Sequence, residues 1–152
     1  IDRGATPCGQ DAHDVLGLEV ALPHYGCEID QNTTPIEAGL ERFVRFDKQY
    51  IGSEVLLKQR EQGVECKLVG LEFSEGAVPL TGYRILDGSM EVGQITNSGY
   101  SPTLETSIAM GSVLAGYAIP GRELNMDTGE RVVQVQVVPL PFYTKPRAAQ
   151  VR

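Results

Sequence analysis

The 152-residue chain is acidic, with a formal net charge of −7 and a pI near 4.8. This charge argues against a general nucleic-acid surface, which needs clustered Lys and Arg side chains to neutralise phosphates. Its 41% hydrophobic and 22% charged residues are ordinary globular usage, and no apolar run approaches the roughly 20 residues that a membrane-spanning helix needs. We therefore predict neither a nucleic-acid partner nor a membrane partner.

The cysteines indicate the compartment. Cys8, Cys27 and Cys66 are an odd number without CxxC spacing, and with two histidines in the chain they form no recognisable zinc site. We therefore expect no metal and a reducing, cytoplasmic location. The first residues, IDRGATPCGQDAHD, have no basic apolar leader, so we expect them to come from the interior of a longer protein.

The first part of the chain predicts helices and turns. Residues 8–18 place apolar side chains at i, i+3 and i+4 spacing, which predicts a helix capped by Gly9 or Asp11. Thr34, with Glu37 three residues later, has the pattern of a capping box at the start of a second helix. We expect these two side chains to have a structural role.

Two further elements precede residue 66. The alternating apolar and charged residues FVRF at 43–46 predict a short strand. Residues 52–62 predict an amphipathic helix, with Ser53 as its N-cap and Gly63 as its C-cap. The character of the sequence changes after this helix, so we place a domain boundary at about residues 60–66.

Beyond Cys66 the chain consists of short β-like runs between turn signals such as Asp87-Gly88 and Pro120-Gly121. The strict alternation at 133–137 is typical of a half-buried strand. Six such runs without helical interruption predict a compact antiparallel barrel or sandwich. Hairpin geometry explains the Ser101-Pro102-Thr103 turn without any ligand. The six runs are KLVGLEF, YRILD, EVGQITNSG, SIAMGSVLA, RELNMD and RVVQVQVVPL.

One carboxylate, Glu19, stands between apolar residues in the stretch VLGLEVALPHYGCEIDQNTTPIEAGL at 15–40. If this stretch packs against a core, the burial of Glu19 must be offset by a partner that donates hydrogen bonds. That partner is either a group of the fold or a ligand. The apolar residues that we expect around Glu19 are Leu16, Leu18, Leu22 and Tyr25.

Several motifs occur in a fixed order along the chain. LEVALPHYGCEIDQNTTPIEAGL is similar to the pattern LEAGLPLYGxDIDExTTPxEAGL, and it is followed by YIG, KLVGL, VGQITNSGYSPTLETSIAMGSV and PLPFY. Together these motifs resemble the glycine cleavage system T protein (aminomethyltransferase) family. The resemblance extends from Cys8 to Tyr143 and implies that the chain is the C-terminal portion of such a protein.

The resemblance implies an α+β fold. A short helical and strand segment of a folate-binding domain is followed by a six-stranded antiparallel Greek-key β-barrel. We place the C-terminal part of the folate-binding domain at 1–62, the barrel domain at 66–145 and a tail at 146–152. Family members are more than twice this length, so we expect a fragment, with a natural short homologue as the alternative.

The family transfers a one-carbon unit from an aminomethyl group on the lipoyl arm of H protein to tetrahydrofolate and releases ammonia. The resemblance therefore implies an enzyme with tetrahydrofolate as its cofactor and with folate and lipoyl-carrying H protein as partners. The family's catalytic aspartate lies upstream, so the catalytic residues here are unknown and we expect no turnover from this chain alone. His13 and Gly17 stand where many members have arginines. One alternative is therefore another folate-dependent enzyme of the same superfamily, such as the folate module of dimethylglycine or sarcosine dehydrogenase, or a demethylase. The other alternative is a non-catalytic interaction module.

The resemblance also implies four contacts with folate or substrate. Glu19 stands where the family carries the carboxylate that binds the pterin, and adjacent N–H donors on a pterin edge suit a single carboxylate. Lys48 stands at the position of a basic residue credited with substrate contact, although a solvated surface charge is the alternative. Tyr143 is expected to reach the folate tail, and Arg147 is the available cation for the tail carboxylates.

Overall fold

A computed structural model describes residues 3–73 and 79–144. Within these residues, two α-helices precede six β-strands, which confirms the predicted α+β class. Short 3-10 helices lie at Glu41–Phe43 and Ala115–Tyr117. The main elements are α1 (Gln10–Glu19), α2 (Ser53–Gln62), β1 (Cys66–Phe73), β2 (Arg84–Asp87), β3 (Met90–Ser101), β4 (Thr106–Leu114), β5 (Glu123–Asp127) and β6 (Val132–Val138).

The six strands form a closed antiparallel barrel in the order β1-β4-β3-β2-β5-β6, so the predicted barrel is confirmed. The hairpin-linked strands β2, β3 and β4 lie side by side, and β1 pairs with β4 rather than with β2, which is a Greek-key arrangement. Pairing of β1 with β6 closes the barrel. Closure gives every strand two neighbours and leaves no open sheet edge.

The barrel interior is the main hydrophobic core. On β6, Val133, Val135 and Val137 are at most 3% exposed while the glutamines between them are exposed, which confirms the predicted half-buried strand. Leu71 on β1 and Ile85 on β2 are fully buried in the same core. The period of two in the sequence therefore reports which face of each strand points inward.

A smaller apolar cluster fixes α1 to the outside of the barrel. Leu18, near the end of the helix, is 2% exposed and packs with Ile108 and Met110 of β4. Gly9 is the N-cap of α1, as predicted, and it makes no side-chain cap bond. The packing of Leu18 on β4 therefore fixes the end of α1 relative to the barrel.

The region between the helices differs from the predictions. The prediction of a strand at 43–46 is wrong, because Glu41–Phe43 is a 3-10 helix and Phe43 is 69% exposed. In this part of the chain, the alternating pattern did not reflect a buried face. Arg45 instead bonds Asp47 through both carboxylate oxygens, at 2.8 and 2.6 Å.

The predicted capping box forms, but the expected helix does not follow it. Thr34 N donates to Glu37 Oε2 at 2.8 Å, and Glu37 N donates back to Thr34 Oγ1 at 3.3 Å. The chain then makes turns through 35–39 and reaches Gly39, whose φ of +72° ends any helical path. The helix expected here is therefore wrong.

At α2 the C-cap is Gly63, as predicted, but the N-cap is Gly52 rather than Ser53. Gly52 has a φ of +89°, a conformation that glycine adopts without steric cost. β1 begins four residues after the helix ends.

The domain boundaries at 1–62 and 66–145 stay a prediction, and the expected tail at 146–152 lies outside the described residues. In the described ranges, no helix combines the length and the apolar character required to cross a membrane.

Candidate functional site

Glu19, the last residue of α1, is 3% exposed and lies against the turn that joins β3 to β4. Ser101 Oγ donates to Glu19 Oε1 at 2.6 Å, and the backbone N of Thr103 donates to the same oxygen at 3.4 Å. Thr103 Oγ1 donates to Oε2 at 3.0 Å. Leu104 N in turn donates to Ser101 Oγ at 3.0 Å and fixes that hydroxyl. The turn therefore holds both oxygens of the carboxylate.

The charge on Glu19 is stabilised by neutral donors. Burial by itself would raise the pKa of Glu19, but the hydrogen bonds from Ser101 and Thr103 outweigh burial and lower the pKa below its ordinary value. Among the hydrogen bonds of the described residues, none brings an Arg or Lys side chain to this carboxylate. Glu19 is therefore ionised at neutral pH.

The apolar setting expected around Glu19 is largely wrong. Leu18 is buried, but Leu16, Leu22 and Tyr25 are 63%, 54% and 79% exposed. Neighbours in sequence along α1 and the following loop point to different sides, so adjacency did not indicate a common environment. The carboxylate owes its burial to the barrel turn instead.

Tyr143 is brought to Glu19 through the backbone. Its N–H donates to the carbonyl oxygen of Glu19 at 2.9 Å. The preceding PLPF residues pack closely on β1, where a Cβ on Gly70 would lie 2.9 Å from both Leu140 Cδ2 and Phe142 Cε1. A glycine at position 70 thus allows the segment that carries Tyr143 to lie beside the end of α1.

The residues that directly follow Glu19 in the chain line a cavity of about 470 Å³. Most of its wall is apolar, and Arg42 is the only charged residue among the described residues that line it. The Arg42 guanidinium carbon lies 4.7 Å from the centroid of the Phe43 ring, within the range of a cation–π contact. This volume is in the range of small-ligand sites. The lining comprises Val20, Ala21, Leu22, Pro23, Ala38, Gly39, Leu40, Arg42, Phe43, Leu68, Leu140 and Pro141.

The other two predicted contacts are not assembled here. Lys48 is exposed, between the 3-10 helix and α2, and is not among the described residues of the cavity wall. Arg147 lies outside the described residues. Of the four predicted site residues, the structure therefore brings together Glu19 and Tyr143.

Sequence reasoning missed three residues of this region. It explained the Ser101-Pro102-Thr103 turn by hairpin geometry without a ligand, and it did not foresee that both hydroxyls of this turn bind Glu19. A signal existed, since a buried carboxylate requires donors and this turn carries two hydroxyls. Arg42 had no such signal, because the residues beside it were assigned to a strand.

Among the described residues, this cavity has no cysteine in its wall, and no cluster of side chains suited to a metal ion is found. Cys8, Cys27 and Cys66 are free, and burial is the main cause that raises the pKa of the Cys27 and Cys66 thiols, which weakens them as nucleophiles. Across residues 3–73 and 79–144, no group of three or more His, Cys, Asp or Glu side chains is arranged to hold a metal ion.

Two family models match the chain. The glycine cleavage T-protein C-terminal barrel domain matches residues 67–144, and the GCVT N-terminal domain matches residues 2–48. The chain belongs to the glycine cleavage T-protein family. The barrel of this T-protein chain and the segment that holds Glu19 thus fall within family-matched sequence, and the resemblance is confirmed.

Individual relatives agree with the T-protein assignment. The aminomethyltransferase of Thermosynechococcus vestitus is 44% identical over 149 residues, which are 97% of this chain and 41% of that protein. That of Moorella thermoacetica is 42% identical over 147 residues, 96% and 40% of the respective chains. The crystal structure of glycine cleavage system aminomethyltransferase T from Bartonella henselae is 28% identical, with a TM-score of 0.82, and the match covers 87% of this chain and 38% of that chain. The chain spans about two fifths of the length of these relatives.

Proposed function

We propose that the protein to which this chain belongs is a tetrahydrofolate-dependent aminomethyltransferase of the cytoplasm. The carbon–nitrogen bond of an aminomethyl group on the lipoyl arm of H protein breaks and ammonia leaves. The carbon–sulfur bond to the lipoyl arm also breaks and frees the lipoyl thiol, while the carbon bonds to two nitrogens of tetrahydrofolate as a methylene bridge. The two protons displaced from those nitrogens end on the ammonia and the thiol. The observation that carries the proposal is the 44% identity to an aminomethyltransferase along 97% of this chain.

The cavity next to Glu19 supports a folate site. Its apolar walls suit the flat faces of a pterin, and the 69% exposed ring of Phe43 offers a surface for stacking. Tetrahydrofolate supplies the nitrogen atoms that accept the one-carbon unit. The part of this chain is to hold the carrier and keep water away from it.

Glu19 is the proposed pterin acceptor. Its Oε2 receives one described hydrogen bond, from Thr103 Oγ1, while Oε1 receives two. Because the residue after Glu19 lines the cavity and Thr103 is exposed, we place a pterin N–H on Oε2 in exchange for the Thr103 hydroxyl. Ser101 then acts as a positioning residue that keeps the carboxylate ionised and oriented.

Cations and an aromatic group complete the proposed folate contacts. Arg147 stays our candidate for the tail carboxylates, Tyr143 for contact with the tail, and Lys48 for contact with substrate. Arg42 joins them because its side chain forms part of the cavity wall. We assign no catalytic acid or base within this chain, and we expect that group in the upstream part of the full-length protein.

A single-turnover experiment on a full-length protein that contains this chain tests the proposed reaction. Tetrahydrofolate is mixed with aminomethyl-loaded H protein, with a methylamine donor such as dimethylglycine together with a two-electron acceptor, or with a formyl donor. We expect ammonia and methylenetetrahydrofolate from the aminomethyl donor alone. Product from the methylamine donor would favour a dehydrogenase folate module or a demethylase instead.

Two other outcomes would contradict parts of the proposal. Absence of both folate binding and turnover in the full-length protein would favour a non-catalytic interaction module. Turnover by the 152 residues alone would show that the catalytic group lies within this chain.

A further inference from the structure

A second cavity, of about 190 Å³, lies between the 26–37 loop and the barrel. The loop contributes Glu28, Asp30 and Glu37 to its wall. Strands β3 and β4 contribute Gln94, Thr96 and Ser112. The cavity is therefore lined by three carboxylates from the loop and by neutral polar side chains from the strands, and Cys27 and Leu68 also form part of its wall.

Glu28 is the unusual group in this cavity. Glu28 is 5% exposed, and the backbone N of His24 donates a hydrogen bond to its Oε2 at 2.8 Å. Oε1 is buried and has no hydrogen-bond partner among the described residues. A buried carboxylate oxygen without a donor is costly, so the structure indicates a missing donor at Oε1.

The charge around Glu28 defines the chemistry of that donor. The described lining contains no Lys, Arg or His side chain. Asp30 accepts hydrogen bonds from Thr33 and Asn32, which lower its pKa and keep it ionised. Glu37 is held by Thr34 in the capping box. The cavity therefore favours a cation over a neutral or anionic ligand.

The acceptors favour a cation with N–H donors over a bare metal ion. No metal-binding group of three or more side chains is present in the described residues. Thr96 Oγ1 uses its proton on Met110 O at 3.2 Å, so its lone pairs remain available to accept. A volume of about 190 Å³ lies below the roughly 300–1,000 Å³ of whole small-molecule sites and suits a head group.

We infer that this cavity binds the head group of an organic cation, a guanidinium or a primary ammonium, with an N–H donating to Glu28 Oε1. The site stands apart from the folate proposal, because it uses none of the residues assigned to folate. The head group comes either from a free small molecule or from an Arg or Lys side chain of a polypeptide. Both sources present the same donors to Glu28.

Cation titrations followed by NMR of the threonine methyl groups test the inference in a full-length protein that contains this chain. Methylguanidinium and methylammonium are the probes, and tetramethylammonium, which has no N–H donor, is the control. We expect saturable shifts at Thr33 and Thr96 with the two N–H cations at about millimolar concentration and none with tetramethylammonium. A blocked arginine peptide that binds more tightly than methylguanidinium would assign the site to a polypeptide side chain. Tighter binding of the free cation would assign it to a small molecule.

Matched variants complete the test. Glu28→Gln should weaken binding of methylguanidinium at least about tenfold, whereas Glu54→Gln, the same change at an exposed position on α2, should leave it unchanged. If Glu28→Gln fails to fold, Thr96→Val replaces it in the test. This variant keeps the side-chain shape and should also weaken binding. Equal binding by Glu28→Gln and the parent protein would overturn the inference. So would a crystal structure, soaked with the cation, that holds only an ordered water at Oε1.

Discussion

Ser101 Oγ lies 2.6 Å from Glu19 Oε1 and joins two residues that are 82 positions apart in the sequence. This bond connects the last residue of α1 to the β3–β4 turn, and the backbone bond from Tyr143 N to Glu19 O adds a second connection from beyond β6. The residues that follow Glu19 line the larger cavity. The barrel therefore sets the position of one wall of the proposed folate site.

Removing the Ser101 hydroxyl should destabilise the fold. Ser101→Ala leaves a buried carboxylate with one donor fewer, and we expect the free energy of unfolding to fall by about 1.5–3 kcal/mol, as for hydrogen bonds to charged groups. Urea denaturation measures this change. Ser89→Ala, at an exposed turn position, is the control and should stay within about 0.5 kcal/mol of the parent protein. A similarly small effect of Ser101→Ala would contradict the structural role of this bond.

The stability that Glu19 confers should depend on pH. Its pKa is lower in the folded chain than its ordinary value of 4.5, so its contribution is fully present above that value and is lost as the pH falls through the folded pKa. Glu19→Gln should therefore destabilise the protein more near pH 7 than near pH 3. Urea denaturation at both pH values checks this, and an equal loss at both would show that the charge is not stabilised as described.

The barrel should not tolerate a side chain at Gly93. A Cβ there would overlap Ser112 O and lie 2.8 Å from Val113 Cα, so it would collide with the backbone of β4. We expect Gly93→Ala to cost at least about 1–3 kcal/mol, the usual cost of overpacking. Gly116→Ala, where a Cβ meets nothing within 4 Å, is the matched control. Thermal unfolding of the two variants compares them, and equal midpoints would argue against the close approach of β3 and β4.

Arg42 should contribute to tetrahydrofolate affinity if the larger cavity is the folate site. Arg42→Gln removes the charge in the cavity wall, and we expect an affinity loss of about tenfold. Arg131→Gln, an exposed position near the start of β6, should have no effect. Fluorescence titration of both variants in the full-length protein measures the difference. Unchanged affinity in Arg42→Gln would place folate elsewhere.

The barrel was predictable from the sequence because its signals are local. The alternation at Val133, Val135 and Val137 and the turn at Asp87-Gly88 each report on a few adjacent residues, and together they located all six strands. Local signals also misled. The FVRF run alternates, but Phe43 faces solvent and the segment is not part of the barrel.

The site was only partly predictable because its contacts are not local. Glu19 was identified as a carboxylate that needs donors, but its donors Ser101 and Thr103 lie on a distant turn, and hydroxyl–carboxylate pairs leave no periodic pattern. The family resemblance selected Glu19 and Tyr143, which the structure places together. It gave no indication of Arg42 or of the unpartnered oxygen of Glu28.

Calorimetric titration of the full-length protein with tetrahydrofolate tests the central claim most directly, with Glu19→Gln and Thr103→Val as the compared variants. Glu19→Gln should lower the affinity at least about tenfold, while Thr103→Val should stay within about threefold of the parent because the pterin replaces the Thr103 hydroxyl. Tetrahydrofolate binding by Glu19→Gln with the affinity of the parent protein would contradict the assignment of this carboxylate to the pterin.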